Sequence, residues 1–333
     1  MPHSSHIQGD GMQNLEETPE RTPILVTGIA GYFGRVLLPY LENDPGISRV
    51  IGVDSNPLNV ETSEKIEFHQ LDIRHPGIEP LLGQAGILVH LAFMLMRLPD
   101  SGDVDDINVR ASQSLYRAAV ASGIRKIVIT SSVVAYGLHA HNPDILTEES
   151  PLRPNQGLYY SRAKAANERF LDEFEGQHPD LILTRLRPCT VVGPNADPGN
   201  MASLTGKTAI TVRGSDPPIQ LLHEADMASA LYHVIRHDLP GIFNVTSDEP
   251  KTIRALLESG GSKTIALPYS LARTLMGIAW RLGTSNFAPE WIDLSRYSLI
   301  ASNEKLKSNG WNPKFTTQAA YQDLLSKKVS LPI

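Results

Sequence analysis

The chemistry that this sequence offers centres on a tyrosine and a lysine four residues apart, Tyr160 and Lys164. On a helix this spacing places both side chains on one face, one turn apart. A phenol, with a pKa of about 10, is a poor base at neutral pH, but a neighbouring ammonium stabilises the phenolate. Such a pair can take a proton from an alcohol or give one to a carbonyl. Because Tyr-x-x-x-Lys also occurs as an ordinary surface pair, its meaning depends on what lies beside it.

Three hydroxyl residues, Thr130, Ser131 and Ser132, end an apolar, β-branched segment that precedes the tyrosine. Ligands bind at the carboxyl ends of the strands in an open α/β sheet. We therefore expect these hydroxyls to face the same cleft as the tyrosine and lysine.

A glycine-rich turn, Thr27-Gly28-Ile29-Ala30-Gly31-Tyr32-Phe33-Gly34, follows the first apolar run and leads into a helical pattern. Glycine allows positive φ and close approach to a pyrophosphate, and the helix N-terminus attracts the anion. The spacing G-x-x-G-x-x-G departs from the general dinucleotide fingerprint. However, Asp54 follows Gly34 by 20 residues, at a strand end where a carboxylate binds ribose hydroxyls and repels a 2′-phosphate. These features predict NAD rather than NADP.

Further candidates lie at the ends of the next strands. Asp72 either accepts a hydrogen bond from the adenine amino group or caps a turn, and position alone favours neither. His90 is interpreted as a hydrogen-bonded core residue. The apolar residues Leu91, Ala92 and Phe93 would bring the backbone near the cofactor.

Short apolar runs alternate with amphipathic stretches, a pattern typical of successive βαβ units around a parallel sheet covered on both faces. Helices are predicted at 34–42, 106–121, 160–175 and 225–236, and strands at 24–27, 50–53, 66–71, 87–91, 127–130, 181–186 and 241–245. The predicted fold class is α/β, a Rossmann-type doubly wound parallel sheet with a smaller, discontinuous C-terminal substrate domain.

The domain boundaries follow from a change of pattern after residue 186. Residues 189–218 are rich in Gly, Pro, Asn and Asp and are predicted to form loops, and the segment after 250 has short helical patterns. We expect residues 1–22 to be a disordered tail. The NAD-binding domain would comprise 23–190 and 223–248, and the substrate-binding domain 191–222 and 249–333.

Composition excludes several classes of protein. The 333 residues carry a net charge of −6, which gives no general field for a polyanion, so we expect no nucleic-acid partner. The single cysteine, Cys189, excludes an internal disulfide and a multi-thiolate metal site, and no metal is predicted.

No signal-peptide pattern is visible, and the protein is expected to be soluble and cytoplasmic, with no membrane partner. The most apolar helical stretch, 270–282, contains two arginines and is too short to span a bilayer. Its apolar positions Leu271, Leu275, Ile278, Ala279 and Leu282 follow helical spacing. A face packed on the rest of the protein is favoured there over a membrane-surface anchor.

Taken together, these motifs resemble those of the extended short-chain dehydrogenase/reductases of the NAD-dependent epimerase/dehydratase family. The resemblance covers about residues 23–325. Beyond the glycine loop, Asp54, Asp72 and Tyr160-x-x-x-Lys164, it is carried by Leu91-Ala92, Asn108-Val109, Ser131-Ser132-x-x-x-Tyr136-Gly137, Arg187-Pro188, His223-Glu224-x-Asp226 and Phe243-Asn244-Val245.

The resemblance implies roles for these residues. Tyr160 would be the acid/base, Lys164 would bind the nicotinamide ribose and lower the tyrosine's pKa, and Ser132 would hydrogen-bond the reacting oxygen. It also implies a homodimer. The cofactor site would comprise Gly28, Ala30, Gly31, Tyr32, Phe33, Gly34, Asp54, Asp72, Ile73, Leu91, Ala92, Phe93, Asn108, Ser131, Tyr160, Lys164, Pro188 and Val191, with Pro188 beside the nicotinamide ring. The small-molecule substrate would contact Met94, Ser132, Val133, Tyr160, Arg213 and His223.

Departures from the family pattern narrow the reaction. Sugar dehydratases carry Asp-Glu directly after the hydroxyl residue, but here Val133-Val134 follows Ser132, so dehydration is disfavoured. Nucleotide-sugar epimerases usually offer the diphosphate an arginine about four residues before the equivalent of His223, which is absent here. Arg213 or Arg296 could substitute, or could be ordinary surface residues.

Three functions remain open at this point. The first is a nucleoside-diphosphate-sugar 4-epimerase. The second is an NAD-dependent alcohol dehydrogenase or ketone reductase acting on a less polar, hydroxysteroid- or flavonoid-like substrate, a reading that the apolar run 93–96 favours. The third is a non-catalytic NAD-binding regulator, against which the intact Ser132, Tyr160 and Lys164 argue.

Overall fold

The computed structural model describes residues 22–95, 104 and 106–326. Of the expected N-terminal tail, only Thr22 is among these residues. Met96 of the apolar run 93–96 also lies outside them. In the described chain the strands are β1 (Thr22–Thr27), β2 (Ile47–Asp54), β3 (Ile66–Gln70), β4 (Ile87–His90), β5 (Lys126–Thr130), β6 (Ile182–Pro188), β7 (Thr190–Val192), β8 (Thr208–Val212), β9 (Pro218–Ile219), β10 (Leu221–His223), β11 (Gly241–Val245), β12 (Lys251–Thr252) and β13 (Lys263–Leu267).

Helices alternate with these strands, as the sequence pattern predicts. They are α1 (Tyr32–Asn43), α2 (Glu79–Leu82), α3 (Ser112–Ala121), α4 (Tyr159–Gln177), α5 (Pro198–Thr205), α6 (Glu224–Arg236), α7 (Ile253–Ser259), α8 (Tyr269–Arg281), α9 (Glu304–Ser308) and α10 (Thr317–Ser326). A π-helical turn, Asp106–Ala111, precedes α3, and two 3₁₀ segments that matter below are Val133–Tyr136 and Pro289–Ser295.

The central sheet has seven parallel strands in the order β11-β6-β5-β4-β1-β2-β3. This confirms the predicted Rossmann-type fold. The strand order reverses between β1 and β4, because β2 and β3 are added on one side of β1 and β4 lies on the other. The crevice outside the carboxyl ends of β1 and β4 is the expected ligand site of such a sheet. One expectation fails at the edge: β3 is half-buried rather than covered on both faces, because it is the last strand.

Two hydrophobic clusters sandwich the sheet. One face packs against α1 and α6 through residues such as Leu37 and Leu231, and the other packs against α2, α3 and α4 through residues such as Leu115 and Leu171. The packing follows from the apolar, β-branched composition of the inner strands, whose side chains alternate between the two faces.

The segment predicted as loops, 189–218, contains regular structure, so that prediction was wrong in part. Asp197 caps α5 through the backbone N of Asn200, and Pro198 occupies the first helical turn, where no N–H is needed. Strand β8 is stabilised by parallel pairing with β13, which is more than 50 residues away in the chain. Such distant pairing leaves no local signal.

Candidate active site

The turn between β1 and α1 can be formed only with glycine at its first position. Gly28 has φ of +75°, and a Cβ there would lie 2.5 Å from the backbone N of Ala92. The turn is thereby held directly against the segment that follows β4. A Cβ at Gly34 would overlap the backbone of Ile29, so that glycine lets α1 begin close to the turn.

The N-terminus of α1 is suited to an anion. Gly31 is its N-cap and provides no side-chain hydrogen bond to the first turn, so the free N–H groups and the helix dipole face the crevice. This geometry fits the pyrophosphate of a dinucleotide. Tyr32 and Phe33 follow at the start of the helix, but the Tyr32 hydroxyl donates to Glu224 Oε2 over 2.7 Å. The Tyr32 side chain therefore ties α1 to α6, and only its backbone is left for a cofactor.

Asp54 ends β2 at the position expected for a ribose partner. One carboxylate oxygen accepts from the Ala30 backbone N at 3.0 Å and the other from the Asn56 N at 2.9 Å. Each carboxylate oxygen can accept more than one hydrogen bond, so ribose hydroxyls can still be bound. A buried anion held by two amides disfavours the 2′-phosphate of NADP.

Asp72 is a turn cap in the structure. Its Oδ1 accepts from the Arg74 backbone N at 2.8 Å, and its carboxylate pairs with the Arg74 guanidinium. Hydrogen bonding to this guanidinium lowers the pKa of the carboxyl below its usual value. An adenine contact at Asp72 or at the half-buried Ile73 stays a prediction.

The predicted catalytic residues converge at the carboxyl end of β5. Tyr160 and Lys164 lie in the first two turns of α4, and Ser132 caps the 3₁₀ segment Val133–Tyr136 by accepting from Val134 N at 3.2 Å. The Ser132 hydroxyl also lies 3.5 Å from the carbonyl oxygen of Pro188. Burial raises the pKa of the Tyr160 phenol, and hydrogen bonding to Ser132 opposes this rise.

Lys164 is buried beneath an aromatic ring. Its Nζ donates to the Thr130 carbonyl oxygen at 2.8 Å and lies 3.7 Å from the centroid of Phe93. Burial lowers the pKa of this ammonium from 10.5 to about 7, opposed in part by the charge of Glu168. An amine with this pKa gains or loses its proton near neutral pH.

The Tyr160 ring packs against two aromatic side chains. The Phe93 ring meets it edge-on with centroids 5.4 Å apart, and the Trp291 centroid is 5.6 Å away. Burial raises the pKa of the phenol to about 12. The Lys164 ammonium is directed to Thr130 and Phe93, and its Nζ lies 5.7 Å from the centroid of the phenol ring. Its lowering effect on the pKa of Tyr160 stays a prediction.

The Ser131 side chain is hydrogen-bonded within the protein, and its expected cofactor contact stays a prediction. Its hydroxyl donates to the buried carboxylate of Glu168 at 2.5 Å, and the same carboxylate forms a bidentate pair with Arg187. Arg187 in turn donates to the Tyr136 hydroxyl, which donates to Asn244. This network joins β5, β6, β11 and α4 beneath the catalytic residues, so Ser131 is a structural anchor.

Asn108 holds the segment that follows β4. Its side chain accepts from the backbone N of Met94 and donates to the carbonyl oxygen of Met94, each over 2.8 Å, and also donates to the Tyr159 hydroxyl. The Asn108 amide thus positions the backbone of Met94, and its expected cofactor contact stays a prediction.

His90 has the structural role that the sequence suggested. Its two ring nitrogens bond to Thr27 Oγ1 at 2.7 Å and Ser112 Oγ at 2.9 Å. Burial lowers the pKa of the imidazole to about 3, so it stays neutral. Leu91 continues the strand by donating its N–H to the Thr27 carbonyl oxygen.

The predicted substrate contacts differ in their exposure to solvent. Met94 is exposed at the crevice segment, whereas Val133 is buried in the core. Arg213 is exposed and directly follows β8. A substrate role for Arg213 stays a proposal.

The His223 side chain is engaged within the protein, and its predicted contact with a substrate stays a prediction. Its Nδ1 accepts from Ala225 N as the N-cap of α6, its Nε2 bonds to Asp323 at 2.9 Å, and its ring stacks on Phe315. Both ring nitrogens are thus occupied. Of the remaining predicted cofactor residues, Pro188 ends β6 and Val191 is buried in β7.

Trp291 and Glu168 were not predicted from the sequence. Trp291 comes from the 3₁₀ segment Pro289–Ser295, far from Tyr160 in the chain, and no local pattern marks it. Glu168 could have been found, because it lies four residues after Lys164 on the same helix face.

Known proteins resemble this chain in sequence and in fold. Residues 24–246 match the model of the NAD dependent epimerase/dehydratase family. An uncharacterized protein of Mycobacterium tuberculosis is 27% identical, covering 93% of this chain and 85% of that protein. A UDP-glucose 4-epimerase of Mycolicibacterium smegmatis is 32% identical over 54% of this chain and 59% of that enzyme. The fold matches the UDP-glucose 4-epimerase of Thermus thermophilus, solved with NAD, at a TM-score of 0.72 and 21% identity, covering 93% of this chain and 100% of that one.

Proposed function

Because the chain belongs to the NAD-dependent epimerase/dehydratase family, we propose that it is a nucleoside-diphosphate-sugar 4-epimerase. The observation that carries this proposal is the convergence of Ser132, Tyr160 and Lys164 beside the glycine turn, at the carboxyl end of the parallel sheet. When bound, NAD supplies a reversible hydride acceptor. The glycine turn, the N-terminus of α1 and Asp54 are the groups that would hold it.

Tyr160 is the acid/base in this proposal. Its phenolate form accepts the proton of a sugar hydroxyl as the carbon is oxidised, and the phenol returns a proton when the ketone is reduced on its other face. The proton balance is closed, since the group that takes the proton also gives it back. Ser132 orients the reacting oxygen by hydrogen bonding, which fits its interaction with the phenol and the lowering effect of that interaction on the phenol pKa.

Lys164 contributes its positive charge. Only the ammonium form stabilises the Tyr160 phenolate, and burial places the pKa of this group at about 7. The charge is therefore present in full only below that pH, unless an anionic ligand raises the pKa. The ribose of the cofactor is the proposed partner of the ammonium.

A sugar nucleotide is the proposed substrate because the relative from M. smegmatis, named a UDP-glucose 4-epimerase, is 32% identical over 54% of this chain. The arginine that is usual before His223 in nucleotide-sugar epimerases is absent. Another group would therefore have to bind the diphosphate. Arg213 is the proposed substitute, since it is exposed and directly follows β8, in the part of the chain expected to bind substrate.

A second function is favoured by the walls of the site. Phe93 and Trp291 both pack against the Tyr160 ring, and an aromatic wall of this kind suits an apolar molecule better than a sugar. An NAD-dependent alcohol dehydrogenase or ketone reductase acting on a less polar substrate is therefore the alternative.

Two measurements distinguish these functions. An epimerase should interconvert UDP-glucose and UDP-galactose without net formation of NADH, and UDP should raise its melting temperature, since a ligand that binds only the folded state stabilises it. A dehydrogenase should form NADH in proportion to product and show no stabilisation by UDP. If the NAD-loaded protein acts on neither sugar nucleotides nor apolar alcohols, both enzymatic proposals fail.

A further inference from the structure

Helix α8 presents its large aliphatic side chains to solvent, which corrects the prediction of a packed face. Exposed fractions are 46% for Leu271, 41% for Leu275, 50% for Ile278 and 73% for Leu282, which follows the helix. The side that packs against the protein is a different one, centred on the fully buried Ala272.

The exposed surface continues onto the neighbouring strands. Ile210 in β8 and Ile265 in β13 are register partners, and both are exposed. Since side chains alternate along a strand, they share a ribbon face with Val212 and Leu267, which lie in the cluster that contains Ala272. We call the exposed set the apolar face: Ile210, Ile265, Leu271, Leu275, Ile278 and Leu282.

The charges that border the apolar face are cationic. Arg281 immediately precedes Leu282, and Lys263 shares the ribbon face of Ile265; both are exposed. Helix α8 itself contains two arginines and no acidic residue. Arg273 pairs with Glu290 at 2.8 Å. Glu258, in α7, accepts a hydrogen bond from the Thr264 hydroxyl, and the Thr264 side chain points to the opposite face of the ribbon from Ile265.

We propose that the apolar face is a docking surface for an anionic lipid bilayer. A row of aliphatic side chains along one helix, bordered by Lys and Arg, is the pattern of helices that lie in the membrane interface. The local positive charge stands out because the whole chain has a net charge of −6. No helix within the described ranges 22–95 and 106–326 is long and apolar enough to cross a membrane, so α8 would lie in the plane of the surface.

This surface is connected to the candidate active site. The 3₁₀ segment Pro289–Ser295 packs against α8 through Ile292, and its Trp291 contacts Tyr160. Lipid contact at α8 is therefore one element away from the wall of the catalytic crevice. The inference goes beyond the proposed function and does not depend on it, since the surface lies outside the residues that would hold NAD.

The test is sedimentation of the full-length protein with vesicles. We expect binding to vesicles of equimolar phosphatidylcholine and phosphatidylglycerol, weaker binding to phosphatidylcholine alone, and weakening by salt. Replacing Ile278 and Leu282 together by Ser should reduce partitioning at least about tenfold, and Arg281→Glu should reduce the preference for the anionic lipid. Ile145→Ser, at a 57% exposed site elsewhere, is the matched control and should bind like the wild type.

Folding and self-association are measured in the same preparations. The variants should keep the melting temperature of the wild type, because the replaced side chains are exposed. The proposal is overturned if the wild type does not bind either vesicle, or if the double variant binds as well as Ile145→Ser. It is also overturned if the wild type is a dimer in solution, the double variant is a monomer, and the wild type does not bind vesicles.

Discussion

The Nζ atom of Lys164 lies 3.7 Å from the centroid of the Phe93 ring, and the centroids of the Phe93 and Tyr160 rings are 5.4 Å apart. One aromatic side chain thus touches both members of the catalytic pair. A cation over a ring face is stabilised in its charged form. Phe93 therefore positions Lys164 and supports its charge.

Removing this ring should move the titration of the lysine. Phe93→Leu loses a cation–π interaction of roughly 1–2 kcal/mol, which lowers the pKa of Lys164 by about one unit from its value near 7. The alkaline limb of kcat/KM, where the ammonium is lost, should shift to lower pH by that amount. Phe93→Tyr keeps the ring and should retain the wild-type profile. An unshifted limb in Phe93→Leu would show that the ring does not support the charge.

The buried lysine should also make stability depend on pH. The unfolded chain holds the proton up to about pH 10.5 and the folded protein only to about 7, so between these values the unfolded state binds more protons and wild-type stability rises with pH. Lys164→Met lacks this dependence. The unfolding free energy of Lys164→Met minus that of the wild type should therefore decrease by about 1.4 kcal/mol for each unit of rising pH in that window. Denaturant unfolding across the window measures this, and a constant difference would contradict the burial of the ammonium.

The Glu168–Arg187 pair should dominate local stability. Both side chains are buried, and Glu168→Gln leaves the Arg187 charge without its partner. We expect a loss of about 3–5 kcal/mol in unfolding free energy. Glu173→Gln changes an exposed carboxylate on the same helix. This control should alter the unfolding free energy by less than about 0.5 kcal/mol. Equal effects of the two substitutions would refute the structural role of the network.

His223 should affect folding rather than substrate binding. Asn is a good N-cap, so His223→Asn retains the bond to the first turn of α6 but loses the contacts with Asp323 and Phe315. A decrease of about 1 kcal/mol in stability is expected, with KM for the sugar nucleotide unchanged. A large rise in KM at unchanged kcat would restore the histidine as a substrate contact.

The sequence was sufficient for those parts of the site that depend on local geometry. The glycine turn, Asp54 at a strand end and the spacing of Tyr160 and Lys164 each specify a position relative to one element, and the parallel sheet brings these elements to one edge. The sequence could therefore predict that these elements lie together at one edge of the sheet before the fold was known.

What could not be predicted depends on contacts distant in the chain. His223 is occupied by Asp323, 100 residues away, and Ser131 by Glu168, 37 residues away. Helix α8 shows a different difficulty, because both its buried side and its exposed side carry apolar residues. Periodicity identifies such a helix but not which face is covered.

The central claim is that Tyr160 transfers the proton in a reaction with NAD, and Tyr160→Phe tests it most directly. The hydroxyl is removed while the ring contacts with Phe93 and Trp291 can be retained, so NAD should still raise the melting temperature of the variant. Turnover of UDP-glucose and UDP-galactose by this NAD-binding variant should fall by about 10²–10⁴-fold relative to wild type. Wild-type turnover in the NAD-bound variant would contradict the account.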